Sequence, residues 1–276
     1  RLIFNVSDLW PESAEKLGVV NNRLMLGMAY RLEAKLYKRS ALVTGQTQGI
    51  CENITRRFPS VPTSWLPNGV DLSYYDPAKI LPGDWRNKNG FSADDIIFMY
   101  AGIIGIAQGL EIILKAAAEL RIDSRLKFVL LGSGPEKQTL MEMKQSLALN
   151  NVFFLDAVTK QEMPVVLKNI NAAVIPLKKL DIFLGAIPSK IFENLAMEVP
   201  ILLGVDGEAR ILFIEQGKCG IYFEPENVQS LVKAVSTFIG DSSASVQLGK
   251  NGRTFVNRAF NRENIAKDFY ARLKNL

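Results

Sequence analysis

From residue 96 onward, short continuous apolar runs alternate with longer stretches of helical periodicity. The apolar runs lie at 96–100, 128–131, 152–155, 172–175, 201–203 and 221–223. A parallel strand buried on both faces has this pattern, because both of its sides contact apolar neighbours. The amphipathic stretches lie at 110–120, 136–147, 161–168, 189–196, 209–216 and 228–239. The pattern predicts an α/β fold, with a doubly wound sheet of six parallel strands covered by helices.

The first 75 residues repeat this alternation less completely. Strands are predicted at 2–6, 41–44 and 64–66, with helices between them. We interpret this region as the second half of another Rossmann-like domain, whose first half lies outside this sequence. The polar segment 76–90 is predicted to be a linker, and two more helices are predicted at 244–260 and 262–274. The predicted domains are therefore 1–80, 81–260, and a helix at 261–276 that packs back on the first domain.

One predicted helix, at 22–39, is strongly basic. It carries Arg23, Arg31, Lys35, Lys38 and Arg39 against a single acid, and an apolar stripe at helical spacing. The stripe consists of Leu24, Met28, Leu32 and Leu36. We expect it to face the core, with contact to an anionic lipid or a phosphorylated acceptor as the alternative. Nucleic-acid binding is disfavoured because no binding-module signature is present.

The composition removes several kinds of chemistry. The chain has 276 residues, is 48% hydrophobic, carries a net charge of +5 and contains no histidine. Histidine-dependent nucleophiles, general bases and zinc sites are therefore excluded. Cys51 and Cys219 lie far apart in sequence, which favours a reduced, cytoplasmic setting. No apolar run is long enough for a membrane-spanning helix, and the sequence starts at Arg1, so we expect the natural start upstream.

A glycine-spaced turn follows the first strand of the six-stranded sheet. It contains Gly102, Gly105, Gln108 and Gly109, and it leads into a helix. Glycine lets a backbone approach a ligand closely, and the amides at a helix start attract phosphate. The turn is neither G-x-G-x-x-G nor a P-loop, and the next strand ends at Gly132 and Gly134, so a dinucleotide dehydrogenase is disfavoured. A purely structural tight turn is the alternative.

A second motif lies between the fourth and fifth strands of that sheet. Pro188 suits the first position of a helix, and Ser189 stands beside it near the strand edge. Lys190 and Glu193 share one helical face. A cation at a helix start opposes the helix dipole, which predicts an anionic partner, and a carboxylate one turn later can accept hydrogen bonds from a ribose diol. The alternative is a Lys190–Glu193 surface pair.

The first domain has two candidate features of its own. Asp8 and Glu12 directly follow the first strand, at the edge where open α/β sheets bind ligands. Either could instead be a helix N-cap. A turn dictated by proline, asparagine and glycine at 66–71 closes this region. No Asp-x-Asp motif occurs, so no metal site is predicted.

Taken in order, these motifs resemble the family 4 retaining glycosyltransferases of the GT-B fold. The residues that carry the resemblance lie at 8–12, 66–71, 100–110, 131–135 and 188–193. The likeness is greatest to the bacterial branch that transfers fucosamine-type and other N-acetylated sugars during O-antigen or capsule assembly. It implies two facing Rossmann-like domains, of which the N-terminal one is incomplete in this sequence. The C-terminal domain would hold the nucleotide-sugar donor, and the acceptor would approach from the N-terminal side.

The resemblance also implies roles for single residues. Glu193 would match the second acid of the Glu-x7-Glu pattern and bind the donor ribose, whereas the position of the first acid is Gly185. Ile103 and Gln108 stand where many members have Arg and Lys. Lys190, Glu193 and Asp8 are the implied catalytic residues. The implied donor-binding residues are Gly102, Gly105, Gln108, Gly132, Gly134, Val158, Pro188, Ser189, Lys190 and Glu193.

The expected activity is transfer of a sugar from a UDP-sugar to a saccharide or polyprenyl-linked acceptor, without a separate cofactor. Metal and histidine are not required, because the main task is to stabilise charge on the departing diphosphate. We expect a protein of the bacterial cytoplasm, with peripheral membrane contact through the basic helix. Two alternatives remain: a non-catalytic subunit that binds nucleotide sugars, and an isomerase resembling the UDP-sugar 2-epimerases.

Overall fold

The structure is a computed structural model that describes residues 1–274 and residue 276. Its nine described strands are β1 Ile3–Val6, β2 Leu42–Gly45, β3 Thr63–Trp65, β4 Ile96–Ala101, β5 Leu126–Leu131, β6 Val152–Leu155, β7 Ala172–Pro176, β8 Ile201–Gly204 and β9 Gly220–Tyr222. Every predicted strand is present, with ends shifted by at most two residues. Apolar continuity predicted these strands well because each is covered from both sides.

Strand order defines two sheets. The smaller sheet has the order β1-β2-β3, and the larger has the order β6-β5-β4-β7-β8-β9. All paired neighbours are parallel. The larger sheet is therefore doubly wound, as predicted, and its order reverses between β4 and β7. In such sheets, ligands bind beyond the carboxyl ends of the strands at this switch point.

The strands are connected by helices. The α-helices are α1 Glu12–Lys16, α2 Arg23–Arg39, α3 Gln48–Arg57, α4 Trp85–Lys88, α5 Glu111–Glu119, α6 Lys137–Ser146, α7 Met163–Lys168, α8 Lys190–Ala196, α9 Val228–Gly240, α10 Ser242–Ala259 and α11 Arg262–Leu273. The predicted helix at 209–216 is present as a π-helix, Arg210–Gln216. The amide of Gly217 bonds to the carbonyl of Leu212, five residues back, which is the π-helical spacing.

Alternating side chains of the large sheet feed two separate apolar clusters. Ile97 and Met99 of β4 point to one cluster, and Phe98 and Tyr100 point to the other. All four side chains are almost completely buried. The small sheet has one limited cluster, which consists of Val6, Tyr37, Val43, Ile50, Ile54 and Val61.

The buried face of the basic helix α2 is not the face that the sequence predicts. Leu24, Met28 and Leu32 are 75%, 56% and 54% exposed, so the prediction that this stripe faces the core is wrong. The buried residues of α2 include Glu33 and Tyr37. Two contacts select that face: Tyr37 packs between the rings of Phe4 and Phe58, and Glu33 forms an ion pair with Arg57 of α3.

The segment between the sheets is docked on the larger sheet. Arg86 donates hydrogen bonds to the carbonyls of Asn169, Ser92 and Asp95, and Trp85 stacks near Phe91. These contacts give residues 76–90 a fixed position, in contrast to a free linker.

The start of α11 contacts the turn that follows β3. The amide of Val70 bonds to the carbonyl of Phe260, and the Arg262 amide bonds to the carbonyl of Val70. The ring of Phe260 also meets Trp65 edge-on. The division of the chain at residues 80 and 260 stays a prediction. Among the described helices, none combines the length and apolar character needed to cross a bilayer.

Candidate functional site

A cleft of about 1800 Å³ separates the carboxyl edges of the two sheets. The larger sheet contributes the loops after β4 and β7 and the start of α8, and the smaller sheet contributes the loops after β1 and β2. The cleft therefore lies at the switch point between β4 and β7. Its walls include Asp8, Gly102, Gln108, Pro188, Ser189, Lys190 and Glu193, all of which the sequence singled out.

Two glycines of the β5 loop allow it to pack directly on the turn after β4. A Cβ on Gly132 would lie 1.9 Å from the Gly102 carbonyl oxygen, and one on Gly134 would lie 2.3 Å from that of Ile104. Both glycines have positive φ, at 148° and 153°, which favours glycine as well. The Gly102 amide already donates to the carbonyl of Leu131 at 2.9 Å. These glycines thus shape the turn from behind and leave its outer surface to the cleft.

Lys190 reaches from the start of α8 to this turn. Its Nζ lies 3.7 Å from the centroid of the Tyr100 ring, and a Cβ on Gly102 would come within 2.9 Å of the same nitrogen. Burial lowers the pKa of the Lys190 ammonium to about 7. No carboxylate of the described residues forms an ion pair with Lys190, so the alternative of a Lys190–Glu193 surface pair is wrong, and the anionic partner expected from the helix dipole stays a prediction.

Glu193, one turn further along α8, lies on the same side of the cleft. Its carboxylate is close to the hydroxyl of Tyr75, and burial together with that negative charge raises the pKa of Tyr75. The Tyr75 hydroxyl makes no hydrogen bond within the part of the chain that the structure describes. The side chain of Asn194 donates to the Lys190 carbonyl at 2.8 Å and so holds the first turn of α8 together.

Ser189 precedes α8 and is exposed to the cleft. No side chain caps this end of the helix. The Ile191 amide bonds to the Pro188 carbonyl and the Phe192 amide to the Ser189 carbonyl, so only the amides that precede Ile191 are left as donors for an anion in the cleft. Ser189, Lys190 and Glu193 therefore present a donor, a cation and an acceptor to one volume.

The opposite wall begins at the loop after β1. Asp8 is exposed to the cleft, and Pro11, not Asp8 or Glu12, occupies the N-cap position of α1. Glu12 pairs with Lys16 at 3.0 Å. Burial alone would raise the pKa of Glu12, but Lys16 and the nearby Asn53 hold it below its usual range. Asp8 is thus the carboxylate of this loop that remains open to a ligand.

A row of polar side chains continues this wall along the carboxyl edge of the small sheet. Gln46 donates to the hydroxyl of Ser7 at 2.8 Å and accepts from the side chain of Asn68 at 2.9 Å. Ser7 directly follows β1, and Gln46 directly follows β2. Sequence reasoning singled out the turn at 66–71 but missed Gln46, although a polar residue placed directly after a parallel strand was a usable signal.

The two sides of the cleft touch at one end. The carboxylate of Glu208 accepts hydrogen bonds from the amides of Gln48 and Gly49, both at 2.8 Å, at the start of α3. A Cβ on Gly185 would lie 3.1 Å from the Cα of Gly49. Gly185, which occupies the position of the first acid in the resembled pattern, therefore lies at a close backbone contact. Sequence reasoning also missed Glu208, for which distance along the chain offers no signal.

Four of the predicted catalytic and donor-binding residues lie off the cleft wall formed by the described residues. They are Gly105, Gly132, Gly134 and Val158. The two glycines of the β5 loop support the wall as described above, and a Cβ on Gly105 would contact the side chain of Gln108 at 3.0 Å. Val158 packs against one of the two clusters of the large sheet. No group of three metal-ligating side chains occurs among residues 1–274 and 276.

Comparison with known proteins gives a family match. Residues 83–255 match the family described as glycosyl transferases group 1. A protein of Escherichia coli K12 named as a colanic acid biosynthesis glycosyl transferase, WcaI, is 27% identical over 189 residues, which are 67% of this chain and 44% of that protein. The O-antigen chain mannosyltransferase C of Escherichia coli is 25% identical over 190 residues, 68% of this chain and 48% of that protein.

The fold has a counterpart among solved structures. HepE of Anabaena in complex with UDP-glucose superposes with a TM-score of 0.82, at 17% identity, over 100% of this chain and 72% of that chain. At such low identity the likeness concerns the fold alone. This chain spans less than half the length of the two curated relatives.

Proposed function

Because this chain belongs to the glycosyl transferases group 1 family and has the GT-B fold, we propose that it transfers a sugar from a nucleotide-sugar donor to a saccharide or polyprenyl-linked acceptor. The observation that carries the proposal is the unpaired ammonium of Lys190 beside the Gly102 turn, at the switch point of the larger sheet. An ammonium without a protein counter-ion suits a ligand that brings its own negative charge, and a nucleotide diphosphate has that chemistry.

The donor lies along the larger sheet in this proposal. Lys190 and the amide group at Ser189 contact the diphosphate beside the Gly102 turn, and Glu193 accepts hydrogen bonds from the ribose. The solved HepE complex holds UDP-glucose, which supports a uridine nucleotide here. The curated relatives are named for colanic acid and O-antigen synthesis, which supports a polysaccharide or lipid-linked acceptor. An N-acetylated sugar is our choice for the transferred group, from the likeness to the fucosamine-type branch.

In the proposed reaction, the bond between the anomeric carbon and the diphosphate oxygen breaks while the acceptor hydroxyl attacks the same face. Because the attack comes from the face that the diphosphate leaves, the configuration at the anomeric carbon is retained, and the departing phosphate takes the proton of the acceptor hydroxyl. Lys190 stabilises the charge that develops on the diphosphate, and this kind of electrostatic stabilisation is commonly the largest catalytic contribution. No separate cofactor or metal enters this scheme. Asp8 faces the acceptor side and orients the attacking hydroxyl.

We place the protein at the cytoplasmic face of a bacterial membrane. The exposed apolar stripe of α2 is flanked by exposed basic side chains, including Arg31 and Lys35. Apolar side chains with adjacent cations favour an anionic lipid surface, where each cation contributes about 1 kcal/mol. Such contact would bring a lipid-linked acceptor to the cleft.

A panel of nucleotide sugars tests the donor assignment. Ligand at 100 times its dissociation constant stabilises a protein by about 2.7 kcal/mol, which a thermal melt detects. We expect UDP-sugars to raise the melting temperature, and GDP-sugars and NAD to leave it unchanged. Glu193→Ala should abolish the shift, whereas Asp8→Asn, on the opposite wall, should keep it.

Measuring release of the sugar or its transfer to an acceptor then distinguishes a transferase from a binding subunit and from an isomerase. Donor-dependent stabilisation without turnover, in a protein extended to the full length of its relatives, would support a non-catalytic binding subunit. Interconversion of the sugar without transfer would support an isomerase. A shift that survives Glu193→Ala would remove the ribose contact from the proposal.

A further inference from the structure

The side chain of Lys190 is in contact with an aromatic ring. Its ammonium lies over the face of the Tyr100 ring at 3.7 Å from the centroid. The negative face of an aromatic ring attracts a cation, most strongly where water is excluded. Tyr100 is 1% exposed, and its hydroxyl donates to the Ile103 carbonyl at 2.5 Å, so the ring has one fixed orientation.

No charged side chain of the described residues forms an ion pair with Lys190 that could hold its amine in place of the Tyr100 ring. Burial accounts for the lowered pKa of Lys190, and no charged side chain contributes to it. Arg253, on the helix α10 behind α8, is itself paired with Asp76. The titratable side chains that line the same cleft are Asp8, Glu12, Lys16, Glu52, Arg56, Asp181, Glu193 and Glu208. None of these described groups forms an ion pair with Lys190.

We infer that Tyr100 is a positioning residue for donor binding, because its ring holds the Lys190 amine at the Gly102 turn where a diphosphate would lie, and that the amine takes up a proton when the diphosphate binds. The inference rests on the proposed function. Gly102 is part of the same arrangement, because any larger residue at this position would place a Cβ within 2.9 Å of the Lys190 Nζ.

The direction in which pH changes the donor affinity follows from the linkage between diphosphate binding and protonation of Lys190. With a pKa of about 7 in the free protein, Lys190 is already charged at pH 6 and mostly neutral at pH 8. A bound diphosphate favours the charged form and raises this pKa. Binding above pH 7 must therefore take a proton from the buffer, and the observed affinity falls as pH rises. Between pH 6 and pH 8 we expect a fall of about tenfold.

Calorimetry with UDP-glucose measures the proton directly. Its diphosphate has no ionisation near neutral pH, so proton uptake reports on the protein. Titrations in two buffers with different ionisation enthalpies should show a proton uptake that is small at pH 6 and approaches one proton at pH 8. Lys190→Met should lose both the uptake and most of the affinity. Binding with no uptake at pH 8 would overturn the inference while leaving the proposed function intact.

Variants at Tyr100 separate positioning from a merely structural role. Tyr100→Phe keeps the ring and should keep both the uptake and the pH profile. Tyr100→Leu removes the ring and should weaken binding about threefold to thirtyfold. It should also move the fall in affinity to lower pH, because the charged amine loses its support. Equal weakening at pH 6 and pH 8 would overturn the positioning role. If Tyr100→Leu fails to fold, a fluorinated phenylalanine at this position keeps the shape, weakens the negative ring face, and should shift the profile the same way.

A ligand-free measurement distinguishes this inference from failure of the proposed function. Acylation of Lys190 by acetic anhydride, followed by peptide mass spectrometry over a pH series, reports the fraction of neutral amine. We expect a midpoint near pH 7, and a midpoint near pH 10 would overturn the inference. If the midpoint lies near pH 7 and neither UDP-glucose nor GDP-mannose binds, the proposed function and the proton uptake that rests on it both fail.

Discussion

The larger sheet is covered on both faces by apolar clusters, whereas the smaller sheet has a single cluster of limited extent. Phe98 and Phe128 stack within the larger sheet at 5.6 Å between centroids, and both are almost fully buried. In the region of the smaller sheet, buried positions are fewer, and large apolar side chains of its loops and helices such as Trp10, Met25 and Met28 are more than half exposed. Surface of that kind on a protein commonly marks an interaction site.

The same difference appears on the two walls of the cleft. The wall of the larger sheet consists of glycine turns, a helix start and a half-buried lysine, held from behind by packed backbone. The wall of the smaller sheet consists of exposed polar side chains that bond to one another. A preorganised wall suits a constant ligand such as a nucleotide diphosphate, and an open polar wall suits a saccharide with many hydroxyls. The comparison therefore agrees with a donor on one side and an acceptor on the other.

The largest expected effect tests the contrast between the cores. Phe128→Ala should lower the free energy of unfolding by about 3–5 kcal/mol, because it leaves a cavity between two packed layers. Phe4→Ala is the matched change on the smaller sheet. Phe4 is only partly buried, so the loss should be about 1–2 kcal/mol. Urea unfolding followed by circular dichroism measures both, and equal losses would contradict the comparison.

A smaller effect on stability is expected at the point where the two walls of the cleft touch. Glu208→Ala removes both hydrogen bonds to the amides of Gln48 and Gly49. Hydrogen bonds to a charged group contribute about 1.5–3 kcal/mol, reduced here by partial exposure, and we expect about 1–2 kcal/mol. Amide hydrogen exchange at Gln48 and Gly49 should accelerate about tenfold or more.

Glu208→Gln serves as the control, since it keeps one acceptor oxygen and should give an intermediate rate. Exchange at Phe128, inside the larger sheet, should stay unchanged in both variants. Unaltered exchange at Gly49 in Glu208→Ala would show that other contacts hold the two sides together.

The smallest effect on stability is expected on α2. Combined Leu24→Ser, Met28→Ser and Leu32→Ser substitutions should change the free energy of unfolding by less than about 0.5 kcal/mol, because all three side chains are exposed. Co-sedimentation with vesicles containing an anionic phospholipid should nevertheless fall severalfold. Tyr37→Ser, on the buried face of the same helix, is the control and should destabilise strongly. Equal vesicle binding by the triple variant and the parent would remove the membrane contact from the proposal.

The element types of the larger sheet were predictable because each strand contacts apolar layers on both sides. The strand Val152–Leu155 was predicted without error, and the strand–turn–helix order around Gly102 followed from apolar runs and glycines. The face of α2 was not predictable in this way. Its apolar stripe is regular, yet the buried face is chosen by Tyr37 and by the Glu33–Arg57 ion pair, and these contacts join residues from different elements.

The candidate site shows the same division. Lys190, Glu193 and Asp8 were named from local motifs, and the structure brings them into one cleft. That Lys190 lies over Tyr100 and has no carboxylate partner among the described residues was not visible in the motif, which left a Lys190–Glu193 pair open as an alternative. Likewise, the link from Glu208 to Gly49 spans 159 positions of the chain.

Sequence alone thus determined which segments become strands and helices, the parallel doubly wound class, and the residue types offered at the strand ends. Hydrophobic periodicity and turn chemistry act over a few neighbouring residues, so they can be read locally. Tertiary structure alone decided which face of α2 is buried, which ring supports the lysine, and how the two sheets meet around the cleft. Those outcomes depend on packing and on charge burial between distant segments, whose energies exist only once the chain has folded.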